Sequence, residues 1–112
     1  MNAIEFVKKF GIEYAIKILN YDPSILDDVC HLDFGETKNL KQIVDAWELV
    51  EKVGGLERVK RAIDGKHIGY THFYLHSNGR YVFLDNYVDF IPDHAHHIGL
   101  FNKDINLVEQ CQ

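Results

Sequence analysis

Histidines and carboxylates are the side chains here that could do chemistry, and they are not spread evenly. Six of the seven histidines lie between residues 67 and 97. His72 and His76 fall on one face of a candidate strand, with Asp85 expected opposite His72. The phrase "DHAHH" adds Asp93, His94, His96 and His97. Imidazole nitrogen and carboxylate oxygen together suit zinc, nickel, iron or manganese. If the later segment folds back over the strand, His72, His76, Asp85, His94, His96 and His97 would converge on a divalent transition metal. Neither an H-E-x-x-H helix nor an H-x-H-x-D-H loop is present, and ordinary solvated or half-buried histidines account for the same residues. A His72–Asp85 pair would also suit acid–base work, because a carboxylate orients and charges an imidazole. Cross-strand pairing explains that couple equally well. No Ser or Cys is placed as a nucleophile, since Cys30 is next to His31 only along the chain. The expectation is a non-enzymatic protein without a cofactor, with a small His-rich metal-binding protein or a metal-dependent enzyme as the alternative.

A second set of side chains suits binding rather than bond-making. "THFYLHSNGRYVFLDNY", residues 71–87, holds five Phe or Tyr residues and two histidines around one Asn-Gly. Asn-Gly favours the two-residue type I′ hairpin turn, whose central residues need positive φ. Centring the turn there pairs His76 with Tyr81, Leu75 with Val82, Tyr74 with Phe83, Phe73 with Leu84 and His72 with Asp85. Side chains alternate faces along a strand. Phe73, Leu75, Val82 and Leu84 would then line a core face. Tyr70, His72, Tyr74, His76, Tyr81, Phe83, Asp85 and Tyr87 would line the other. Aromatic side chains bring large contact area at low entropy cost, so Tyr70, Tyr74, Tyr81, Phe83 and Tyr87 are the candidate anchors for a protein partner or a second copy. The competing expectation is that Ile98, Leu100 and Phe101 cover this face as a second core layer.

A third set is basic. Arg58, Lys60, Arg61 and Lys66 lie on or after a short helix, and Arg80 lies at the hairpin tip. Helices followed by a hairpin match the element order of a winged-helix DNA binder, with these residues on phosphates. The formal net charge of -5 argues against bare DNA or RNA as the main partner, and a solvated helix face explains Arg58 and Lys60.

The elements that must position these groups are legible from periodicity. Asn2 can cap a helix carrying Ile4, Phe6, Val7 and Phe10. Gly11 interrupts it, and Ile12, Ala15, Ile16 and Leu19 resume the stripe until Asn20, Asp22 and Pro23. "PSILDDVCHLDF" is ambiguous, with a possible turn of helix capped by Asp22. Leu40, Ile43, Val44, Trp47, Val50 and Val53 form a longer stripe capped by Thr37 or Asn39 and stopped by Gly54-Gly55. "LERVKRAI" follows, with Leu56, Val59, Ala62 and Ile63 inward and Gly65 closing it. Residues 6–19 resemble residues 49–63 if one glycine is inserted, pairing Val7 with Val50, Lys9 with Lys52, Gly11 with Gly54 and Glu13 with Glu57. This predicts two similar helix-Gly-helix corners. Residues 97–101 can add a third strand, and "KDINLVEQCQ" a short helix capped by Asn102 or Asp104.

At 112 residues the chain suits a single domain, residues 1–112. Its 46% apolar and 26% charged residues are ordinary globular values. Cys30 and Cys111 belong to no C-x-x-C pair and read as free thiols. Glu5, Lys8, Lys9 and Glu13 interrupt any leader-like apolar run, and no stretch reaches the length of a membrane span. A cytoplasmic protein without membrane contact is expected.

"NLKQIVDAWELVEKVGGLERVKRAI" (39–63) and the closing "LVEQCQ" resemble a group of small proteins of lambdoid phages and enterobacterial prophages. Leu40, Lys41, Val44, Leu49, Val50, Glu51, Gly54, Gly55, Leu56 and Lys60 carry the resemblance, over about a quarter of the chain. It brings no activity and no functional residue. It implies an accessory protein of a temperate phage, acting in the bacterial cytoplasm as a modulator of host machinery. The fold expected is α+β, with N-terminal helices packed on a C-terminal antiparallel hairpin or three-stranded sheet.

Overall fold

The computed structural model describes residues 1–20, 32, 33 and 35–112. The ambiguous "PSILDDVC" segment, Cys30 and His31 lie outside the described residues. The architecture is α+β. Helices α1 (Ala3–Phe10), α2 (Ile12–Leu19), α3 (Glu36–Lys52) and α4 (Leu56–Ile63) precede a 3-10 turn, Lys66–Ile68. Strands β1 (His72–Leu75), β2 (Tyr81–Leu84) and β3 (His96–His97) follow, then helix α5 (Ile98–Gln110). The chain divides into two units, residues 1–48 with 107–112, and residues 49–106.

The first unit is a helical cluster. Asn2 caps α1: its Oδ1 accepts from the Glu5 amide at 2.8 Å, and its Nδ2 donates to the Glu5 carboxylate at 3.0 Å. An eight-residue helix is marginal alone, so its stability comes from burying Ala3, Phe6 and Val7. These pack with Ala15, Leu40, Ile43, Val44 and Cys111, flanked by half-buried Trp47 and Leu107. Phe6, Phe10 and Tyr14 form a ring cluster with centroids 4.8–5.9 Å apart. The stripe expected on α3 is present, with Leu40, Ile43, Val44, Val50 and Val53 buried. Helix α3 begins at Glu36, ahead of both expected caps. Asn39 instead donates its Nδ2 to Glu36 Oε2 at 2.9 Å.

Both helix-Gly-helix corners form. Gly11 adopts φ 90, ψ 159 and Gly55 adopts φ 91, ψ 161. That backbone region is essentially restricted to glycine. Each glycine carbonyl accepts the first bond of the following helix, from Ala15 at 3.2 Å and from Val59 at 3.0 Å. The counterpart of Gly11 is therefore Gly55, and Gly54 is the inserted residue, which corrects the sequence alignment. Gly54 closes α3 in a Schellman arrangement: its amide donates to Glu51 O at 3.2 Å, while the Gly55 amide donates to Val50 O at 3.0 Å.

The second unit holds the sheet, in the order β2-β1-β3 with both pairings antiparallel. The hairpin register differs from the expected one by one residue. His72 pairs with Leu84, Phe73 with Phe83, Tyr74 with Val82 and Leu75 with Tyr81. The cause is the loop. His76 N donates to Arg80 O and Gly79 N to His76 O, both at 2.9 Å. Three residues, Ser77-Asn78-Gly79, thus connect the strands, with Gly79 at φ 86. This is the three-residue hairpin that ends in a left-handed glycine. A one-residue slip turns every β2 side chain to the opposite face. The core face is therefore Phe73, Leu75, Tyr81 and Phe83, and the other face is His72, Tyr74, Val82 and Leu84.

The third strand and the last helix also differ from expectation. β3 is only His96–His97, and Ile98 already begins α5. Ile98, Phe101, Ile105 and Val108 are all buried, a helical 3-4-3 spacing that Gly99 and the preceding histidines obscure. The cap is neither Asn102 nor Asp104. His97 Nδ1 accepts from the Leu100 amide at 3.2 Å.

Candidate functional site

The slip in register divides the candidate side chains into three groups. The first is held on the core face. The Tyr81 hydroxyl donates to Val53 O at 2.5 Å, at the end of α3. Arg58 donates to Gly79 O and lies 5.3 Å from the centre of the Tyr81 ring. Burial pushes the Tyr81 phenol above its ordinary range, with the Arg58 charge pulling the other way. Phe83 packs 5.6 Å from Tyr70, and Lys66 lies over the Phe83 ring at 5.0 Å. Two proposed anchors, Tyr81 and Phe83, and two proposed DNA contacts, Arg58 and Lys66, thus hold the hairpin on its own unit. Lys60 and Arg61 line a hollow of about 430 Å³ together with Glu57 and Asp64, so cation and carboxylate alternate there. Arg80 is exposed at the hairpin tip.

The second group is the opposite face. His72 and His97 are cross-strand partners, with rings edge-on at 5.2 Å. Tyr74 meets His94 edge-on at 4.6 Å. The Thr71 hydroxyl lies 3.4 Å from Leu84 O and accepts from Asn86 N at 3.0 Å. It also lies 2.8 Å from His72 Nδ1. His97 Nδ1 accepts as the helix cap, so the neutral ring carries its proton on Nε2. Chelation through both Nε2 atoms would therefore require His97 to release the cap. His76 Nδ1 accepts from the Asn78 amide at 3.1 Å, and Asp85 Oδ1 from the Tyr87 amide at 3.0 Å. His96 faces the core side, with its ring 5.5 Å from both Phe73 and Phe101. The expected opposition of His72 and Asp85 is thus corrected, because Leu84 faces His72. Among the described residues no three of His, Cys, Asp and Glu are placed to hold a metal ion.

Burial also shifts His96 and Asp104 in this unit. Burial lowers the His96 imidazole, aided by Lys52 and His94, and outweighs the opposing pull of Asp104. Burial likewise raises the Asp104 carboxyl against the pull of His96.

The third group lies in the turn after β2. Asp85 organises it. Its carbonyl accepts from Val88 N at 3.0 Å and Asp89 N at 2.7 Å, and its own amide donates to Asp89 Oδ2 at 2.9 Å. The Asn86 amide donates to the hydroxyl of Thr71, the residue before β1. On this frame Tyr87 is 88% exposed, Val88 81% and Phe90 87%. Tyr87 is one of the anchors expected from the sequence, and Val88 and Phe90 are additions to it. The signal was present: apolar residues with neither helical nor strand periodicity, set between Asp85, Asp89 and Asp93 and ending at Pro92.

Comparison with protein-family models, with curated proteins and with solved structures gives no match. Among the described residues no helix is long and apolar enough to cross a membrane.

Proposed function

We propose that this chain is a non-enzymatic accessory protein of a phage or prophage, which binds and modulates a bacterial host protein in the cytoplasm or associates with a second copy of itself. The observation that carries the reading is the turn 85–90. Three large apolar side chains stand in solvent, Tyr87 and Val88 on a backbone that its own hydrogen bonds close over residues 85–89 and Phe90 directly after it. Exposed apolar groups in such a cluster mark an interaction surface, and a rigid presentation lowers the entropy cost of docking. The resemblance of residues 39–63 to phage and prophage proteins supports the biological setting.

The anchors differ in part from those expected of the hairpin face. Tyr87 remains, Tyr70 is partly exposed, and Val88 and Phe90 join them. Tyr81 and Phe83 are spent on holding the hairpin, and Tyr74 is half-buried beside His94. The test is native mass spectrometry of untagged protein drawn from bacterial lysate, for the wild type and for Tyr87→Ser with Phe90→Ser. The wild type should carry a second polypeptide, and the variant should lose it while its circular dichroism stays unchanged. A bare monomer in both samples, or a stoichiometric bound metal, defeats the reading. The winged-helix alternative is tested by Lys60→Glu with Arg61→Glu in a gel-shift assay, which leaves the structural Arg58 in place.

A further inference from the structure

The turn that presents Tyr87, Val88 and Phe90 also carries a charge pattern, and that pattern narrows the partner. We infer that the 85–93 turn is a docking knob for a different protein, one that offers an apolar pocket ringed by lysines or arginines. The inference rests on the interaction reading above and specifies its partner.

Residues 81–102 contain Asp85, Asp89 and Asp93 and neither Lys nor Arg. The three apolar side chains are therefore interleaved along the chain with three carboxylates. Asp85 and Asp89 accept backbone hydrogen bonds within the turn. These two carboxylates are therefore part of the frame itself. An apolar pocket that received Tyr87 and Phe90 would bring its rim against these carboxylates. An acidic rim would be repelled, and a neutral one would desolvate the carboxylates without compensation. Cationic groups on the rim satisfy them.

The same charges argue against the other occupants. Three carboxylates oppose the phosphates of nucleic acid and the anionic headgroups of a bacterial membrane. A second copy would have to supply the cations. Arg58 and Lys66 of this chain are already engaged with Gly79, Tyr81 and Phe83. The hollow formed by Arg58, Arg61, Ala62 and Tyr81 contains Glu57, and the one beside Lys60 and Arg61 contains Glu57 and Asp64. Both are mixed surfaces, not apolar pockets with a wholly basic edge, and Arg80 stands at the hairpin tip among exposed Ser77, Asn78 and Gly79.

The test uses the full chain as bait against a random-peptide display library. Enriched peptides are synthesised and titrated against the wild type, against Tyr87→Ser with Phe90→Ser, and against Asp93→Asn. Asp93 is exposed and its side chain takes no part in the hydrogen bonds that close residues 85–89, so its substitution removes charge and spares the frame. The expected peptides carry an aromatic or branched aliphatic residue flanked by Lys or Arg. Their affinity should fall about tenfold or more in the double-serine variant. Asp93→Asn should weaken them about two- to fourfold in low salt and have no effect in high salt, where a rim charge is screened. Turn-dependent peptides without basic residues would overturn the charge assignment and leave the interaction reading standing. Peptides that bind the double-serine variant equally well, or no turn-dependent peptide at all, would overturn both.

Discussion

The two helix-Gly-helix corners share one backbone and differ in what surrounds them. A Cβ added at Gly11 would meet nothing within 4 Å, and the same holds at Gly55. At Gly54 it would lie 2.6 Å from the Tyr81 hydroxyl and 3.2 Å from Arg58 Cδ. The first corner therefore needs glycine for conformation alone. The second needs one glycine for conformation, Gly55, and another for close approach, Gly54. The additional residue that disturbs the internal repeat is where the hairpin meets the corner. A local turn motif has become a tertiary docking point by the insertion of one residue.

Substitution at the glycines tests this directly. Gly11→Ala and Gly55→Ala should each cost about 1–3 kcal/mol of unfolding free energy, the strain of a glycine-only conformation. Gly54→Ala should cost more, because overpacking against Tyr81 and Arg58 adds about 1–3 kcal/mol to its own positive-φ strain. Urea denaturation of the three variants measures the difference, and equal losses would break the comparison.

A smaller effect sharpens it. Tyr81→Phe removes the hydroxyl that bonds Val53 O, and should cost about 1 kcal/mol alone. In the Gly54→Ala background the same change also relieves a clash, so the loss should shrink or reverse. The double-mutant cycle should then give a coupling of about 0.5–3 kcal/mol. Additive losses would mean that the hydroxyl and the glycine are independent.

The smallest effect is in the pH dependence, and it separates the units. In the second unit the folded-state His96 imidazole titrates below its ordinary 6.5. As pH falls below about 6.5 the unfolded chain takes up the proton first, so stability declines with acidification through that range. Asp104 is raised above its ordinary 3.8. Its protonation in the fold at still lower pH returns part of the loss. In the first unit burial raises the Cys111 thiol above 9.0, against the pull of Lys8. There the unfolded chain loses its proton first, and stability declines as pH rises past 9.0. Thermal melts between acid and alkaline pH should show both declines. His96→Gln should flatten only the acid one, and Cys111→Ala only the part of the alkaline one that begins at 9.0, since the raised Tyr81 phenol of the second unit adds its own decline above 10.0. A melting temperature that ignores His96→Gln below pH 6.5 would show that burial of this ring does not govern its titration.

Much of the fold was open to local reasoning. The stripe of Leu40, Ile43, Val44, Val50 and Val53, the Asn2 cap, the glycine stops and the hairpin at Asn78-Gly79 all depend on neighbours within a few residues. Their physics is capping, propensity and periodicity, and these act along the chain. The candidate site was less open. Val88 and Phe90 are apolar residues in a sequence without period, and only the exposed, hydrogen-bonded turn separates them from core residues. The start of α5 was missed because β3 and the helix share their boundary at His97–Ile98, where a strand residue also serves as the cap.

The chain by itself determined that helices break at Gly11 and at Gly54-Gly55, that a hairpin turns at Gly79, and that charge around the 85–93 turn is wholly acidic. These properties belong to residue type and short spacing. Only the tertiary structure decided which faces the aromatics take. One extra loop residue moves Tyr81 and Phe83 to the core side, because side chains alternate with a period of two and a slip of one inverts them all. It also decided that Tyr81 and Arg58 serve the corner while Tyr87 and Phe90 stand free. Those assignments depend on what each residue meets across the fold, and no local pattern records it.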